Sequence, residues 1–341
     1  MIEHNKPTLS FDDWQALAHP IHTGWLAEGQ EVEDFEQEFC DLYALPPGHA
    51  VAVSSGSAAL YVALLALHAK SKTVAIPCYS CVSLENAVQL AQAQPAYVDS
   101  GEDELNMQQS KLEEADIIIH PHLFGIPSLI KTDLKTKVIE DCAQSIGARI
   151  NGQLVGLQGE LGIFSFYATK LMTSAGQGGM VISQNKAHID FIKDFIHFDC
   201  KNDGLLRFNF QMTDIQAAMG REQLKHLFTH FISKREAIYQ AYKGTQLPFV
   251  DVDDEAIRPV RFRALLKTNK PYDLVEFLLK KGIKTIVPIE RHELLGAVDA
   301  DKLNALQHCK SLLSIPCYPS LKNKEVQYII DSLNKAGSLI C

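Results

Sequence analysis

The stretch Gly162-Ile163-Phe164-Ser165-Phe166-Tyr167-Ala168-Thr169-Lys170 is followed by the glycine-rich run Gly176-Gln177-Gly178-Gly179. The apolar and aromatic residues Gly162–Phe166 predict a buried strand, and the lysine comes just beyond its end. A lysine that emerges from an apolar strand can be desolvated, which lowers its pKa toward that of the nucleophilic free amine. A single lysine after a strand is more often a solvated surface residue, so the interpretation of Lys170 depends on the rest of the sequence.

Short apolar, β-branched runs alternate with longer helical patterns on both sides of this lysine. The alternation predicts an α/β fold in which a mostly parallel sheet is wrapped by helices. The clearest helix is Ser57–His68, a strongly helical and mostly apolar stretch suited to packing against a sheet. The predicted strands are Ala50–Ser54, Thr73–Ile76, Ala96–Val98, Asp116–His120, Val138–Asp141, Gly162–Phe166 and Met180–Ile182.

The C-terminal third has a different pattern. A long amphipathic helix is predicted for Thr213–Tyr242, with Thr213 as a cap, and a break follows it. Beyond the break come a predicted strand, Val260–Leu265, and helices at Pro271–Lys281 and Lys324–Asn334. These patterns predict two domains: residues 1–240 form an N-terminal segment plus a large domain, and residues 241–341 form a small C-terminal α+β domain.

Two further segments bear polar groups at predicted strand ends. Gly56 and Ser57 lie between a strand and a helix, where backbone N–H groups, a hydroxyl and the helix dipole bind an anion, although a serine-capped turn explains them equally well. Asp141 ends another strand and is followed by Gln144. A carboxylate at that place can pair with a protonated ring nitrogen, but an aspartate that caps a helix is also common.

Together these groups meet the needs of a pyridoxal 5′-phosphate (PLP) site. Such a site holds a phosphate, pairs the pyridine nitrogen, covers the ring and presents a lysine to the aldehyde. Ser165 can reach the same phosphate as Gly56 and Ser57, and Gln144 can flank the ring. The joint pattern favours a catalytic role for Lys170 over the surface interpretation.

Composition narrows the class of protein. The 341 residues carry a formal charge of -9 and are 46% hydrophobic, which fits a globular enzyme and gives no general attraction to nucleic acid. We find no secretory signal at the N-terminus and no apolar stretch of membrane-spanning length, so a cytoplasmic location and no membrane contact are expected. Cys78 and Cys81 have C-x-x-C spacing, but no second pair completes a metal site, and none is expected.

The motifs described above, together with several others, resemble those of a known family. It is similar to the nucleotide-sugar aminotransferases of the DegT/StrS type, which are fold-type I PLP enzymes. The similarity spans nearly the whole chain in one order, which is specific for the family and poorly specific for the substrate. It is carried by Gly56-Ser57, by Glu140-Asp141-x-Ala143-Gln144-x-x-Gly147-Ala148, by Phe164-Ser165-Phe166-x-x-x-Lys170, by His122-Leu123-x-Gly125, by the stretch from Asn209 to Leu224 and by Pro316-x-Tyr318-Pro319.

The resemblance implies an activity and roles for the residues that match. Lys170 would form the internal aldimine with PLP, Asp141 would contact the pyridine nitrogen, and Gly56, Ser57 and Ser165 would hold the phosphate. The reaction would move an amino group from glutamate to a nucleotide-linked keto-sugar through a pyridoxamine phosphate intermediate.

The resemblance also implies an assembly. Asn209 would reach the phosphate of the neighbouring subunit's cofactor, so the functional unit would be a homodimer with shared active sites. The long predicted helix that follows Asn209 is compatible with that arrangement.

The chain departs from the family pattern at three places. Cys81 occupies the position of the aromatic residue that usually stacks on the cofactor ring, with Tyr79 as a possible substitute. The usual Gly-Glu-Gly-Gly run contains Gln177, with one extra residue after Lys170, and the usual arginine after Asn209 is Gln211. These departures affect the expected substrate geometry more than cofactor binding.

Three other functions stay open at this stage. A dehydratase of the same family would act on a related sugar, although such enzymes have histidine at the position of Lys170. An aminotransferase acting on another cyclic ketone or a PLP-binding regulatory protein without turnover would fit the same motifs. The roles of His122 and His292 are not assigned, because a histidine is more often structural or solvated than catalytic.

Overall fold

The computed structural model describes residues 1–101, 104–108, 112, 114–130, 136–296 and 303–340. Within them the helices are α1 (Phe11–Thr23), α2 (Gln30–Leu42), α3 (Gly56–Ala66), α4 (Ser83–Leu90), α5 (Lys186–Ile196), α6 (Asp214–Lys225), α7 (Ser233–Lys243), α8 (Pro271–Lys280), α9 (Leu303–Ser311) and α10 (Asn323–Asn334). The strands are β1 (Ala50–Val53), β2 (Thr73–Pro77), β3 (Gln94–Val98), β4 (Ile117–Pro121), β5 (Lys137–Asp141), β6 (Arg149–Ile150), β7 (Gln153–Leu154), β8 (Leu161–Ser165), β9 (Gly179–Ile182), β10 (Ile257–Arg258), β11 (Ala264–Lys267) and β12 (Leu312–Ile315).

The largest sheet in the described residues has seven strands in the order β1-β9-β8-β5-β4-β2-β3. Strands β3, β2, β4, β5 and β8 are parallel, whereas β9 is antiparallel to both of its neighbours, β1 and β8. Because β9 alone is reversed, β1 runs in the same direction as β8, and Val53 and Ser165 both face Gly179. The α/β fold with a mostly parallel sheet is therefore confirmed, and each of the seven predicted strands overlaps one strand of this sheet.

Helix α3 shows why the sequence between β1 and β2 folds as predicted. Ser55 precedes the helix, and its side chain accepts a hydrogen bond from Ala58 N at 3.1 Å. The helix is almost entirely Ala, Leu and Val and is buried on most sides in the core that covers one face of the sheet. A helix that is apolar all round is stable only when it is buried in this way.

The long predicted helix is interrupted, so that prediction is wrong in its continuity. Thr213 caps α6 as expected, in a reciprocal arrangement with Gln216. Between α6 and α7 the backbone forms a π-helical segment, Leu227–Ile232, in which Phe231 N donates to His226 O. A π-segment adds a residue to one turn and shifts the helix face that follows it.

The strand predicted at Val260–Leu265 begins later, at Ala264. Arg261 has a φ of 51°, which a ladder does not accommodate, and Val260 N donates to Gly125 O instead of to a neighbouring strand. Strand β11 pairs with β12, and a core around this pair includes Ile2 and the α7 residue Tyr242. The division of the chain at residue 240 stays a prediction.

The helices at 271–281 and 324–334 are confirmed to within one residue as α8 and α10. No helix in the described part of the chain combines the length and the apolar character needed to cross a membrane.

Candidate active site

The predicted site residues meet at one edge of the seven-stranded sheet. Strands β1, β2, β4, β5 and β8 run in the same direction, so the loops after them leave from the same edge. Ligands in open α/β sheets bind outside the carboxyl ends of the strands. The loops contribute the segments at residues 55–57, 80–83, 121–123, 141–144 and 165–170 to one cavity.

This cofactor cavity has a volume of about 250 Å³. It contains seven of the eight residues that the sequence predicts for the site: Gly56, Ser57, Cys81, Asp141, Gln144, Ser165 and Lys170. Asn209, the eighth, is not part of its lining. Residues separated by more than 100 positions in the sequence are thus brought together by the topology of the sheet.

Lys170 lies in a tight turn at the wall of the cavity. Its backbone N donates to Tyr167 O, and the preceding carbonyl, of Thr169, accepts from Asn5 Nδ2. Burial lowers the pKa of the Lys170 amine, while the charge of Asp141 acts in the opposite direction. The Nζ atom lies 5.4 Å from the centroid of the Phe262 ring. The Lys170 amine is thus desolvated, unlike the amine of a solvated surface lysine.

Asp141 ends strand β5 and is buried. Its Oδ1 accepts from Ala143 N at 2.9 Å, and the residue lines the cavity. Burial raises the pKa of this carboxyl, and the Ala143 N–H and the charge of Lys170 oppose that rise. A buried carboxylate of this kind gains most from a cationic partner, and a pyridinium nitrogen supplies one.

The anion-binding part of the cavity is built from the start of α3 and the end of β8. Ser165 lies so close to Gly56 that a Cβ at that glycine would be 2.6 Å from Ser165 Cβ. Ser57 is exposed, and its Oγ lies 3.4 Å from Ser83 Oγ at the start of α4. The two hydroxyls and the N-terminus of the helix line the same cavity, and such groups are the ones with which proteins bind a phosphate. The donors, the carboxylate and the lysine together fit PLP.

Tyr79 does not occupy the position from which a side chain could stack on the cofactor ring. Tyr79 is completely buried, beside Phe124 and His308, and is not part of the cavity lining. Cys81 does line the cavity, and its Sγ lies 3.3 Å from Ser83 Oγ. Tyr79 is therefore excluded as a substitute for the stacking aromatic.

His122 also borders the cavity, and its two ring nitrogens are engaged. Nδ1 accepts from Ser128 N at 3.3 Å, and Nε2 lies 3.1 Å from Glu140 Oε2. An accepting Nδ1 requires the proton on Nε2. With both ring nitrogens engaged, His122 presents no free nitrogen to the cavity. Sequence reasoning did not find this pair, because Glu140 reads as one more strand residue.

Asn209 lies on an exposed segment outside the cavity. The next carbonyl, of Phe210, accepts from Ser54 N at 2.7 Å, so this segment runs beside the start of the anion-binding loop. The Asn209 Oδ1 accepts from Gln211 N, and its amide N–H groups have no acceptor among the described residues. The Gln211 side chain donates to Glu28.

A second cavity, of about 560 Å³, adjoins the first. The two share Ser80, Cys81, Leu123 and Gln144. The second is also lined by Arg263 and by His292, which is exposed. Sequence analysis did not single out Arg263, because an arginine near a strand has no motif that distinguishes it from a surface residue.

Comparison with known proteins identifies the family for nearly the whole chain. The model of the DegT/DnrJ/EryC1/StrS aminotransferase family matches residues 8–334. The chain belongs to this family. It is a PLP-dependent sugar aminotransferase, and the expected family, fold class, enzyme class and cofactor are confirmed.

Relatives in two bacteria have similar lengths. The chain is 27% identical to the GDP-perosamine synthase of Escherichia coli O157:H7, over 97% of each chain. It is also 27% identical to the UDP-4-amino-4,6-dideoxy-N-acetyl-beta-L-altrosamine transaminase of Campylobacter jejuni strain 81-176, over 98% of this chain and 96% of the relative.

Solved structures share the fold. A putative sugar aminotransferase from Streptococcus pneumoniae, in its PMP form, superposes with a TM-score of 0.90 at 18% identity, over 100% of both chains. DesV from S. venezuelae, in complex with a ketimine intermediate, gives a TM-score of 0.87 at 24% identity, over 97% of this chain and 98% of DesV.

Proposed function

We propose that this aminotransferase moves an amino group from glutamate to a keto-sugar linked to a nucleoside diphosphate. The observation that supports this most directly is the convergence of Lys170, Asp141 and a phosphate-binding helix end in one cavity. The relatives named for perosamine and amino-dideoxy-sugar synthesis support the nucleotide-linked acceptor. A dehydratase of the family would carry histidine at the position of Lys170, so that alternative has no support here.

Each residue of the cofactor cavity then has a role. Bound PLP withdraws electrons from the carbon that loses its proton. Lys170 would hold the cofactor through its amine and, once freed by the donor, would act as the base that takes the proton from the donor Cα. Asp141 keeps the pyridine nitrogen protonated. Gly56, Ser57 and Ser165 hold the phosphate.

Two other residues act on the ring. Gln144 accepts a hydrogen bond from Phe124 N at 2.7 Å through Oε1, which leaves its amide N–H groups for a ring substituent or for substrate. Cys81 borders the ring position without the area of an aromatic side chain. Cys81 lines both cavities, so a substrate in the second cavity would lie next to the cavity of the reacting lysine.

We further propose that the active unit is a homodimer in which Asn209 completes the phosphate site of the neighbouring subunit. The free N–H groups of the Asn209 amide support this role. So do the apolar side chains just before it, because Leu206 is 80% exposed and Phe208 is 58% exposed. Adjacent exposed apolar residues of this size are typical of a surface that a partner covers.

The experiment that tests the function uses the pyridoxamine phosphate form of the protein. We expect that a panel of nucleotide-linked 3-keto and 4-keto sugars contains one that restores the absorbance of the PLP form. The same form mixed with free keto-sugars that lack the nucleotide is the control. If non-nucleotide cyclic ketones restore the absorbance as fast as every nucleotide sugar, the proposed acceptor is wrong.

The donor half of the reaction is tested separately. L-Glutamate should convert the PLP form to the pyridoxamine form with release of 2-oxoglutarate. Conversion by no amino acid, despite bound PLP, would identify a PLP-binding protein without turnover.

A further inference from the structure

Three cationic side chains surround the ring of Phe262. The Arg263 guanidinium carbon lies 4.9 Å from the ring centroid, Lys170 Nζ lies 5.4 Å from it and the Arg235 guanidinium carbon lies 5.8 Å from it. Among the described residues, neither Arg263 nor Arg235 forms an ion pair with a carboxylate. Positive charge is thus concentrated next to the catalytic amine in a chain whose net charge is -9.

The two arginines differ in what they face. Arg235 is completely buried and donates to the carbonyls of Phe262 and Cys317, so it is committed to the protein interior. Arg263 is only partly buried and lines the second cavity. Arg263 is therefore the guanidinium that a ligand can reach.

The neighbours of Arg263 do not neutralise it. Its Nη1 lies 3.0 Å from each ring nitrogen of His4, and burial together with Arg263 lowers the pKa of His4 to about 3. His4 is accordingly neutral at physiological pH, so it does not act as a counter-ion for Arg263. Burial, with the charge of Arg235, lowers the pKa of Arg263 to about 10, so its guanidinium stays charged at neutral pH.

The carboxylates of the second cavity have partners of their own. Glu85 accepts hydrogen bonds from Tyr97 and Gln89. Glu293 accepts from Glu290 N at 2.7 Å. A partly desolvated guanidinium without an ionic partner is costly unless a ligand supplies the anion, and a carboxylate or a phosphate matches its planar pair of donors.

We propose that Arg263 binds the α-carboxylate of the amino donor. The reason is its position relative to the reacting amine. The Arg263 guanidinium carbon and Lys170 Nζ both lie within 5.4 Å of the same ring centroid, and the charge of Arg263 contributes, with burial, to the lowered pKa of the Lys170 amine. In an amino acid a single carbon joins the reacting amine to the α-carboxylate, whereas in a nucleotide sugar the sugar ring separates the ketone from the phosphates. This inference rests on the proposed function for its amino-acid donor.

The test separates the two half-reactions in Arg263→Gln. With L-glutamate and with L-alanine, conversion of the PLP form should fall by about 100-fold in kcat/KM, because a charge-assisted pair of hydrogen bonds is lost. Conversion of the pyridoxamine form by the keto-sugar should change less than about threefold. Arg263→Lys, which keeps the charge but not the paired donors, should recover part of the loss.

Equilibrium binding gives a readout that does not depend on turnover. The unreactive complex of 2-oxoglutarate with the PLP form, measured by calorimetry, should have a dissociation constant about 100-fold higher in Arg263→Gln. The matched control is Arg258→Gln, because Arg258 is exposed and, among the described residues, its guanidinium bonds only the carbonyl of Ile257. The control should leave both half-reactions and 2-oxoglutarate binding unchanged.

Other outcomes overturn the proposal. If Arg263→Gln slowed the reaction with L-glutamate but not with L-alanine, Arg263 would bind the distal carboxylate of glutamate instead of the α-carboxylate. A loss confined to the keto-sugar half would assign Arg263 to a phosphate. Equal losses in both halves would show a structural role. If the parent protein reacts with no amino acid at all, the proposed function fails, and unchanged 2-oxoglutarate binding in Arg263→Gln would then reject the Arg263 site independently.

Discussion

At the residue scale, the chemistry depends on one buried acid and one buried base that share a cavity. Burial raises the pKa of Asp141 and lowers that of Lys170, so each residue is shifted toward its neutral form. Their mutual attraction opposes both shifts. A cationic pyridine ring between them would take over the partnership with Asp141 and leave the lysine amine to react.

Asp141→Asn tests this arrangement. We expect folding to be preserved and the rate of conversion by glutamate to fall by at least about 100-fold, because a neutral amide does not hold the pyridine proton. The measurement is the single-turnover rate with PLP at saturation. Asp190→Asn, which removes only an exposed ion pair with Lys186, is the matched control. A rate in Asp141→Asn within threefold of the parent would show that another group pairs the ring nitrogen.

Gly56→Ala tests the phosphate site. A Cβ at residue 56 would lie 2.6 Å from Ser165 Cβ and 2.9 Å from its Oγ, so Ser165 must move. Alanine stabilises a helix relative to glycine by roughly 0.5–1 kcal/mol, hence a loss of PLP affinity cannot be attributed to the helix itself. We expect the dissociation constant of PLP, measured by absorbance titration, to rise by about tenfold or more.

The control for that substitution is Gly244→Ala. A Cβ at Gly244 meets its nearest atom, Ala241 O, at 3.4 Å, which is ordinary contact. PLP affinity should be unchanged in this variant. Equal PLP affinities for Gly56→Ala and the parent would mean that the phosphate lies elsewhere.

At the element scale, Glu140 joins strand β5 to the loop that follows β7. Its carboxylate accepts from the backbone N–H groups of Gly156 and Gly159 at 2.9 and 3.1 Å, from Gln158 and from His122. Burial raises the pKa of Glu140, but the hydrogen bond with His122 and the backbone donors outweigh it, so the pKa is lowered. One side chain thus organises a loop and orients the ring of His122.

Glu140→Gln should lower the free energy of unfolding by about 2–3 kcal/mol, because an amide presents its N–H group to donors that need an acceptor. A group with a lowered pKa in the folded state stabilises the protein above its unfolded pKa, usually 4.5, and that contribution is lost as the pH falls through the folded pKa. The difference between parent and variant should therefore be full above about pH 5 and shrink at lower pH.

Urea unfolding between pH 3 and pH 8 measures that difference. Glu276→Gln is the control, because Glu276 is exposed and, within the part of the chain that the structure describes, bonds only Lys280 one turn away. A difference between Glu140→Gln and the parent that does not depend on pH would contradict an ionised Glu140 in the folded protein.

At the scale of the whole molecule, the proposed phosphate site depends on a surface that a single chain leaves exposed. The segment before Asn209 presents apolar side chains to solvent, and Asn209 contributes nothing to the cavity of its own chain. An isologous pair would place two equivalent sites at one interface. PLP binding and dimer formation should then be linked by mass action.

Subunit mixing tests the shared site. Lys170→Ala and Asn209→Ala should each be impaired alone. In a heterodimer both defects fall in one site, so the other site is intact. After random exchange of a 1:1 mixture, about a quarter of all sites should be active. Sedimentation with and without PLP measures the linkage. No recovery despite demonstrated exchange, or a monomer fully occupied by PLP, would reject the proposed role of Asn209.

Local sequence determined much of this protein. Apolar runs bounded by turns gave the seven strands of the main sheet, because a buried parallel strand needs little more than a short β-branched run. The sequence also predicted the Thr213 cap and the Ser55–Ser57 turn. Such caps can be predicted from sequence because a capping side chain bonds a backbone N–H group only two or three residues away. The glycine, serine, aspartate and lysine at strand ends predicted a cofactor site, and the structure brings these residues to one cavity.

Tertiary structure decided what depends on distant contacts. The π-segment in the long helix and the late start of β11 follow from packing between elements, which no local pattern encodes. The burial of Tyr79 and the engagement of both nitrogens of His122 are set by residues far along the chain. The place of Arg263 beside the Phe262 ring belongs with them. The role of an isolated arginine cannot be predicted from sequence, because that role depends on which charges and cavities the fold brings close to its guanidinium.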